Sequence, residues 1–138
     1  MQNIKTFLKQ PFIIDKEIDK LNESLQILRN RISSPSGGNA GGLGVQQSRN
    51  LSLSQDLVAR LLDAEAELKQ AKAELLEIEM HIYKISLNLP PAQRSVITLR
   101  YICRHQWADV ALIADISEMQ AMRLHKASLK TLNEQELS

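Results

Sequence analysis

"WADVALIADISEMQAMRLHK", residues 107–126, is the stretch on which the fold turns. Val110, Ala111, Ala114, Ile116, Ala121 and Leu124 stand where two helices crossing at a steep angle need small or apolar side chains. Ser117, with Gln120 three residues later, has the spacing of a capping box and marks the start of a second helix. Asp115 holds the turn position that glycine normally fills. Aspartate tolerates the left-handed backbone better than most residues, so the turn survives at a cost under about 1 kcal/mol. The stretch reads as a helix-turn-helix.

Moving toward the N-terminus, a preceding helix is expected from about Ala92 to Arg104. Val96, Leu99, Ile102 and Cys103 should face inward, and Arg94, Arg100 and Arg104 outward. Trp107 should open the next helix and bury its ring. Pro90-Pro91 cannot continue a helix and biases Leu89 away from helical geometry, so a helix should end just before the pair. All five glycines fall within "SSPSGGNAGGLG", residues 33–44, and the Ser/Gly/Asn-rich composition runs on to Asn50, so 33–50 reads as a flexible linker. The run lacks the Gly-Lys-Ser/Thr ending of a phosphate-binding loop. Two domains are expected: an arm at 1–89 containing that linker, and a helix-turn-helix domain at 90–138.

The arm has one period throughout. Ile14, Ile18, Leu21, Leu25, Leu28 and Ile32 alternate four and three apart. So do Leu57, Leu61, Ala64, Leu68, Ala71, Leu75, Ile78, Ile82, Ile85 and Leu89. This is a heptad seam on each of two helices. Ser52 with Gln55 suggests a start near residue 53 for the second helix, about 50 Å long. The linker allows the first helix to fold back on the second, and Ala64 and Ala71 permit close approach, so a coiled-coil-like helical hairpin is expected. Cover for the seam from Ile78 to Leu89 comes either from the C-terminal segment or from a second chain, the latter giving a homodimer through the arm.

Composition sets the outer bounds. The chain of 138 residues is 43% hydrophobic but 4% aromatic, which suits aliphatic helix packing, and the fold class is all-α. Net charge is +1, so any electrostatic footprint must be local. Residues 51–90 hold four basic against seven acidic residues, a poor nucleic-acid surface, whereas 91–138 hold six against five, with Glu134 and Glu136 in the tail. The lone Cys103 excludes an internal disulfide and has the apolar neighbours of a core residue. Without an apolar signal-peptide core or an apolar run of about 18 residues, the chain reads as cytosolic with no membrane partner. His105 and His125 lack Cys or carboxylate partners at ligand spacing, and His81 lies on the long helix, so no metal site is expected. No cofactor motif, carboxylate pair or nucleophile with its base points to an enzyme.

A resemblance adds to this. "LPPAQRSVITLRYICRHQWADVALIADIS", residues 89–117, resembles the C-terminal promoter-reading region (region 4) of bacterial sigma factors. The continuation "WADVALIADISEMQAMRLHKASLKTL" is similar to phage late-transcription regulators of the ArpU and RinA type and related small phage proteins. Their pattern is met by Trp107, Val110-Ala111, Ser117, Gln120, Arg123, His125 and Ser128-Leu129. The resemblance is specific over 89–132. It implies a sigma-like transcription regulator acting on phage genes in the host cytoplasm, with double-stranded DNA as partner and RNA polymerase as a second candidate. Ala121 and Ser128 depart from the usual residues of that pattern and suggest a slightly looser recognition helix.

On this reading Ser117, Glu118, Met119, Met122, Arg123 and Lys126 face the major groove, with Gln120 close to the cap. Arg123 suits guanine, Glu118 a cytosine amine and the methionines thymine methyls. Lys126, Lys130, Arg100 and Arg104 suit phosphates. Two other classes remain: a packaging or assembly component of the small-terminase kind, and a protein-interaction module that does not bind DNA, to which Asp109, Asp115 and Glu118 lend weight.

Overall fold

A computed structural model of the chain describes residues 3–33 and 44–137. The described residues are all-helical: α1 (Ile4–Ser33), α2 (Gly44–Ser86), α3 (Pro91–Ile97) running into a π-helical turn (Thr98–Ile102), α4 (Trp107–Ala114) and α5 (Glu118–Leu137). Most of the expected linker, residues 34–43, lies outside the described residues. Its remainder corrects the expectation, because residues 44–50 are helical and α2 starts at Gly44 rather than near 53. Residues 45–86 contain neither glycine nor proline, and extending a formed helix costs far less than nucleating one, so the Ser52–Gln55 pair is overrun.

The chain packs as two compact units, Met1–Asp15 with Glu74–Ser138, and Lys16–Ala73. This division differs from a boundary at residue 89, because both ends of the arm pack with the C-terminal helices. In the second unit the seam reads out as expected: Ile18, Leu25 and Ala71 are buried, and Leu21, Leu28, Leu57, Leu61, Ala64 and Leu68 are half-buried. Ile32 is exposed. Arg29 on α1 and Glu65 on α2 form an ion pair at 3.4 Å, which contributes little because both side chains are solvated.

The first unit holds two apolar clusters. One joins Ile4 and Leu8 of α1, Ile82 and then Leu89 at the end of α2, Ile97 and Tyr101 of the α3–π segment, and Leu129 and Leu132 of α5. Phe7, Phe12, Ile78, Ile85 and Ile102 line it. The seam from Ile78 to Leu89 is therefore covered within the chain. Pro11 lies inside α1 and is fully buried, so its ring acts as core while its missing N–H costs one helix bond. α2 ends at Ser86 and closes through tight turns, with Leu89 N–H donating to the Ser86 carbonyl at 3.0 Å. Pro91 then opens α3, where its fixed φ suits the first helical position.

The π turn corrects the inward face drawn for this helix. Cys103 N–H donates to the Thr98 carbonyl, five residues back, at 3.0 Å. The widened turn rotates the following residues, so Tyr101 turns inward and Cys103 is exposed. Arg104 then takes a left-handed φ of 57°, rare for a non-glycine residue. Its guanidinium holds Glu79 of α2 at 2.6 Å and approaches Asp15 of α1 at 3.6 Å.

Leu8 carries the larger cluster despite its distance in sequence from most of its neighbours. Leu8→Ala should lower the unfolding free energy in urea by about 2–4 kcal/mol. The exposed Ile13→Ala should stay within about 0.5 kcal/mol of the parent chain. Equal effects would show that the start of α1 is not core.

Candidate functional site

The site is built on local chain chemistry. α4 ends with Asp115 in the left-handed conformation (φ 58°, ψ 47°). Asp115 N–H donates to the Leu112 carbonyl at 3.2 Å and Ile116 N–H to the Ala111 carbonyl at 3.0 Å, the paired bonds of a Schellman stop. Ile116, just past the stop, packs on the cluster of Val96, Val110, Ala111 and Ala121. Three residues after α4 the next helix begins. Ser117 Oγ accepts from Gln120 N–H at 3.1 Å, and Gln120 Oε1 accepts from Ser117 N–H at 3.0 Å, so the expected capping box is formed in both directions.

The inward side of α5 is fully used. Ala121 and Ser128 are completely buried and Leu129 nearly so. Alanine at 111 and 121 allows α4 and α5 to approach closely in the smaller cluster. Ser128 satisfies its hydroxyl by donating to the Leu124 carbonyl at 2.7 Å and reaches Gln93 Oε1 at 3.5 Å, so its burial leaves no polar atom unpaired. Trp107 opens α4 with its ring half-buried against the same cluster.

Five of the sequence-predicted residues gather on the opposite side. Met119, Met122, Arg123, Lys126 and Lys130 are all exposed, and their spacing of three and four places them along one face of α5. Arg123 Nη2 lies 3.7 Å from Met119 Sδ. Glu118 is exposed at the edge of this stripe, in the first turn of α5 where a carboxylate suits the helix dipole. Ser117 and Gln120 are exposed but spend their polar groups on each other.

Arg100 and Arg104 stand elsewhere. The Arg100 guanidinium lies over the Phe12 ring at 4.8 Å and the Trp107 ring at 5.0 Å, and it donates to the His105 carbonyl at 2.8 Å. Arg104 is held by Glu79 and Asp15. Both are half-buried and committed within the fold.

Beneath the stripe lies a ring network that the sequence did not announce. His125 stacks on Tyr101 with centroids 5.6 Å apart, shares a hydrogen bond with its hydroxyl, and meets Trp107 edge-on at 4.7 Å. Phe12 meets Tyr101 edge-on at 6.0 Å. Burial, aided by the charges of Arg100 and Lys5, lowers the His125 pKa from 6.5 to about 4, while burial raises that of Tyr101 against the opposing pull of Arg100. Both groups are neutral near pH 7. The one available signal was scarcity: with two Phe, two Tyr and one Trp in the chain, each ring has a high chance of being core.

Among the described residues no three His, Cys, Asp or Glu side chains gather as metal ligands, and no helix is long and apolar enough to cross a membrane. No protein-family model matches the chain, and neither the curated proteins nor the solved structures contain a significant match to it.

The turn and the buried histidine each make a measurable statement. Asp115→Gly should raise stability by up to about 1 kcal/mol because glycine enters the left-handed region freely, and Ser117→Ala should cost about 1 kcal/mol. Thermal unfolding of both variants checks the pair. For His125 the folded pKa lies below the unfolded one, so its stabilisation is complete above pH 6.5 and drains away as pH falls toward 4. Denaturant melts between pH 6.5 and 5, above the main carboxylate range, should show this loss, and His125→Gln should flatten it.

Proposed function

We propose that this chain is a sequence-specific DNA-binding transcription regulator of a bacteriophage or prophage, working in the cytoplasm of its bacterial host. In this reading α4 and α5 form a sigma-type helix-turn-helix, α5 is the reading helix, and α1 with α2 form a helical hairpin that carries it. The observation that carries the proposal is the outward face of α5. A helix with its own capped start presents three cations and two methionines on one solvated stripe, behind a sharp Schellman turn. The resemblance of residues 89–117 to sigma region 4 and of residues 107–132 to ArpU- and RinA-type regulators supports the same assignment.

The roles follow from donor geometry. The N-terminal half of the reading helix enters the major groove, where Arg123 pairs bidentately with guanine O6 and N7. Met119 and Met122 cover thymine methyls, and Glu118 accepts from a cytosine amine. Lys126 and Lys130, farther along the stripe, hold phosphates and set affinity without reading sequence. Arg100 and Arg104 take no part in this account, since their guanidiniums are already paired inside the fold. The reading assigns the chain no catalysis and no cofactor.

A second reading has one observation in its favour. Leu112 and Ile113, two adjacent large apolar side chains on α4, are 79% and 55% exposed, and would suit a protein partner such as RNA polymerase. It can stand alone or beside DNA binding.

Fluorescence anisotropy with phage promoter fragments at two salt concentrations tests the proposal. Binding should weaken steeply with salt, and Lys126→Ala should reduce the salt slope by about one. Arg123→Ala should cost about 1–3 kcal/mol on the preferred site and relax discrimination there. Salt-independent binding, or affinity indifferent to both substitutions, would leave only the protein-docking reading.

A further inference from the structure

α2 carries a second heptad seam that its neighbours leave open. Leu76, Met80 and Tyr83 on α2, with Leu87 in the turn just past its end, repeat at intervals of four, three and four, and they are 57%, 52%, 53% and 48% exposed. They belong to the first unit, as do Leu75, Ile78, Ile82 and Ile85, but at 100° per residue the two sets point to nearly opposite sides of the helix. The inner set is spent on the core. The outer set is an apolar stripe of large side chains spaced alternately four and three apart, the spacing by which one helix keeps a stripe facing another.

We infer that this stripe is where two copies of the chain pair, with their α2 helices antiparallel about a two-fold axis between Met80 and Tyr83. The spacing reads the same in both directions, as an isologous interface requires. Leu76 of one copy then stacks on Leu87 of the other, and Met80 on Tyr83, giving four apolar layers from one repeated contact. Charge selects both the occupant and the direction. Glu77 and Lys84 are exposed residues flanking the stripe on the same edge, and the antiparallel arrangement sets Glu77 of each copy beside Lys84 of the other. On the other edge Ser86 is fully buried within its own chain and Glu79 is paired with Arg104, so that edge adds no charge contact. A parallel pair would instead need Glu79 to meet Lys84, and Glu79 is already held by Arg104 at 2.6 Å. The stripe is thus complementary to itself in one direction only.

The inference stands independently of DNA binding. Four anchors per copy make a small interface, so the dimer forms at concentrations on the order of 10–100 µM. Sedimentation equilibrium of the full chain, with circular dichroism to verify the fold of each variant, tests it. Met80→Glu should weaken the dimer about a hundredfold while leaving the helical spectrum intact, since position 80 is exposed. Glu77→Lys and Lys84→Glu should each weaken it about five- to tenfold through two like-charge pairs along their edge of the stripe. The doubly exchanged chain should recover, and an equimolar mixture of the two single variants should form heterodimers. A chain that stays monomeric up to about 1 mM overturns the inference. So does a dimer indifferent to Met80→Glu, which would place the contact elsewhere, or one in which the charge exchange gives no rescue, which would remove the antiparallel register.

Discussion

The structure of the first unit depends on one convergence: apolar side chains from four stretches of sequence meet around Ile82 and Ile97. Ile4 and Leu8 come from the start of α1, Leu89 from the turn after α2, Tyr101 from the π turn, and Leu129 and Leu132 from α5. Bringing such distant stretches together is entropically tolerable, because loop closure grows only logarithmically with length. Each large side chain taken out of water returns about 1.5–3 kcal/mol. The cluster packs both ends of the arm with the C-terminal helices, and it anchors α5 through its C-terminal half. The N-terminal half packs Ala121 and Leu124 into the smaller cluster and turns Met119, Met122 and Arg123 to solvent.

Next to that cluster, an irregular backbone is held by charge. The π turn at Thr98–Ile102 swings Tyr101 inward, where it reaches both Phe12 and His125. The chain then reverses through the left-handed Arg104, whose guanidinium ties α1 and α2 to the turn. A strained residue with two carboxylate partners is a structural clasp, and Arg100 between two rings is another. Together they tie up the guanidiniums of Arg100 and Arg104 inside the fold. On the exposed face of α5 the basic charge rests with Arg123, Lys126 and Lys130.

Much of this was legible residue by residue. The capping pair Ser117–Gln120, the left-handed Asp115, the helix end before Pro90-Pro91 and the inner seam of α2 all appear where the sequence places them. The misplacements share a cause. The expected face of the helix after Pro91 assumed a constant 100° per residue, and one wide turn was enough to exchange Tyr101 for Cys103. The start of α2 was set by a plausible cap at Ser52 that an unbroken helical run passes over. Ile4, Leu8 and Pro11 continue the α1 spacing of four and three, but a proline inside the run reads locally as a break rather than as core. Of the ten candidate contact residues, the five on the α5 stripe follow from helix geometry alone, and the two arginines before α4 do not.

By itself the sequence determined the all-helical class, the stops and starts around residues 90 and 115–117, and the face that α5 buries. Each of these depends on hydrogen bonds and side-chain spacing within about six residues, a range that local chemistry controls. Only the tertiary structure decided what covers the end of α2, where the helix widens, and which arginines are free. The fate of a long cation depends on carboxylates and rings brought to it from remote positions, as Asp15, Glu79 and Phe12 are here, and no local pattern encodes their arrival.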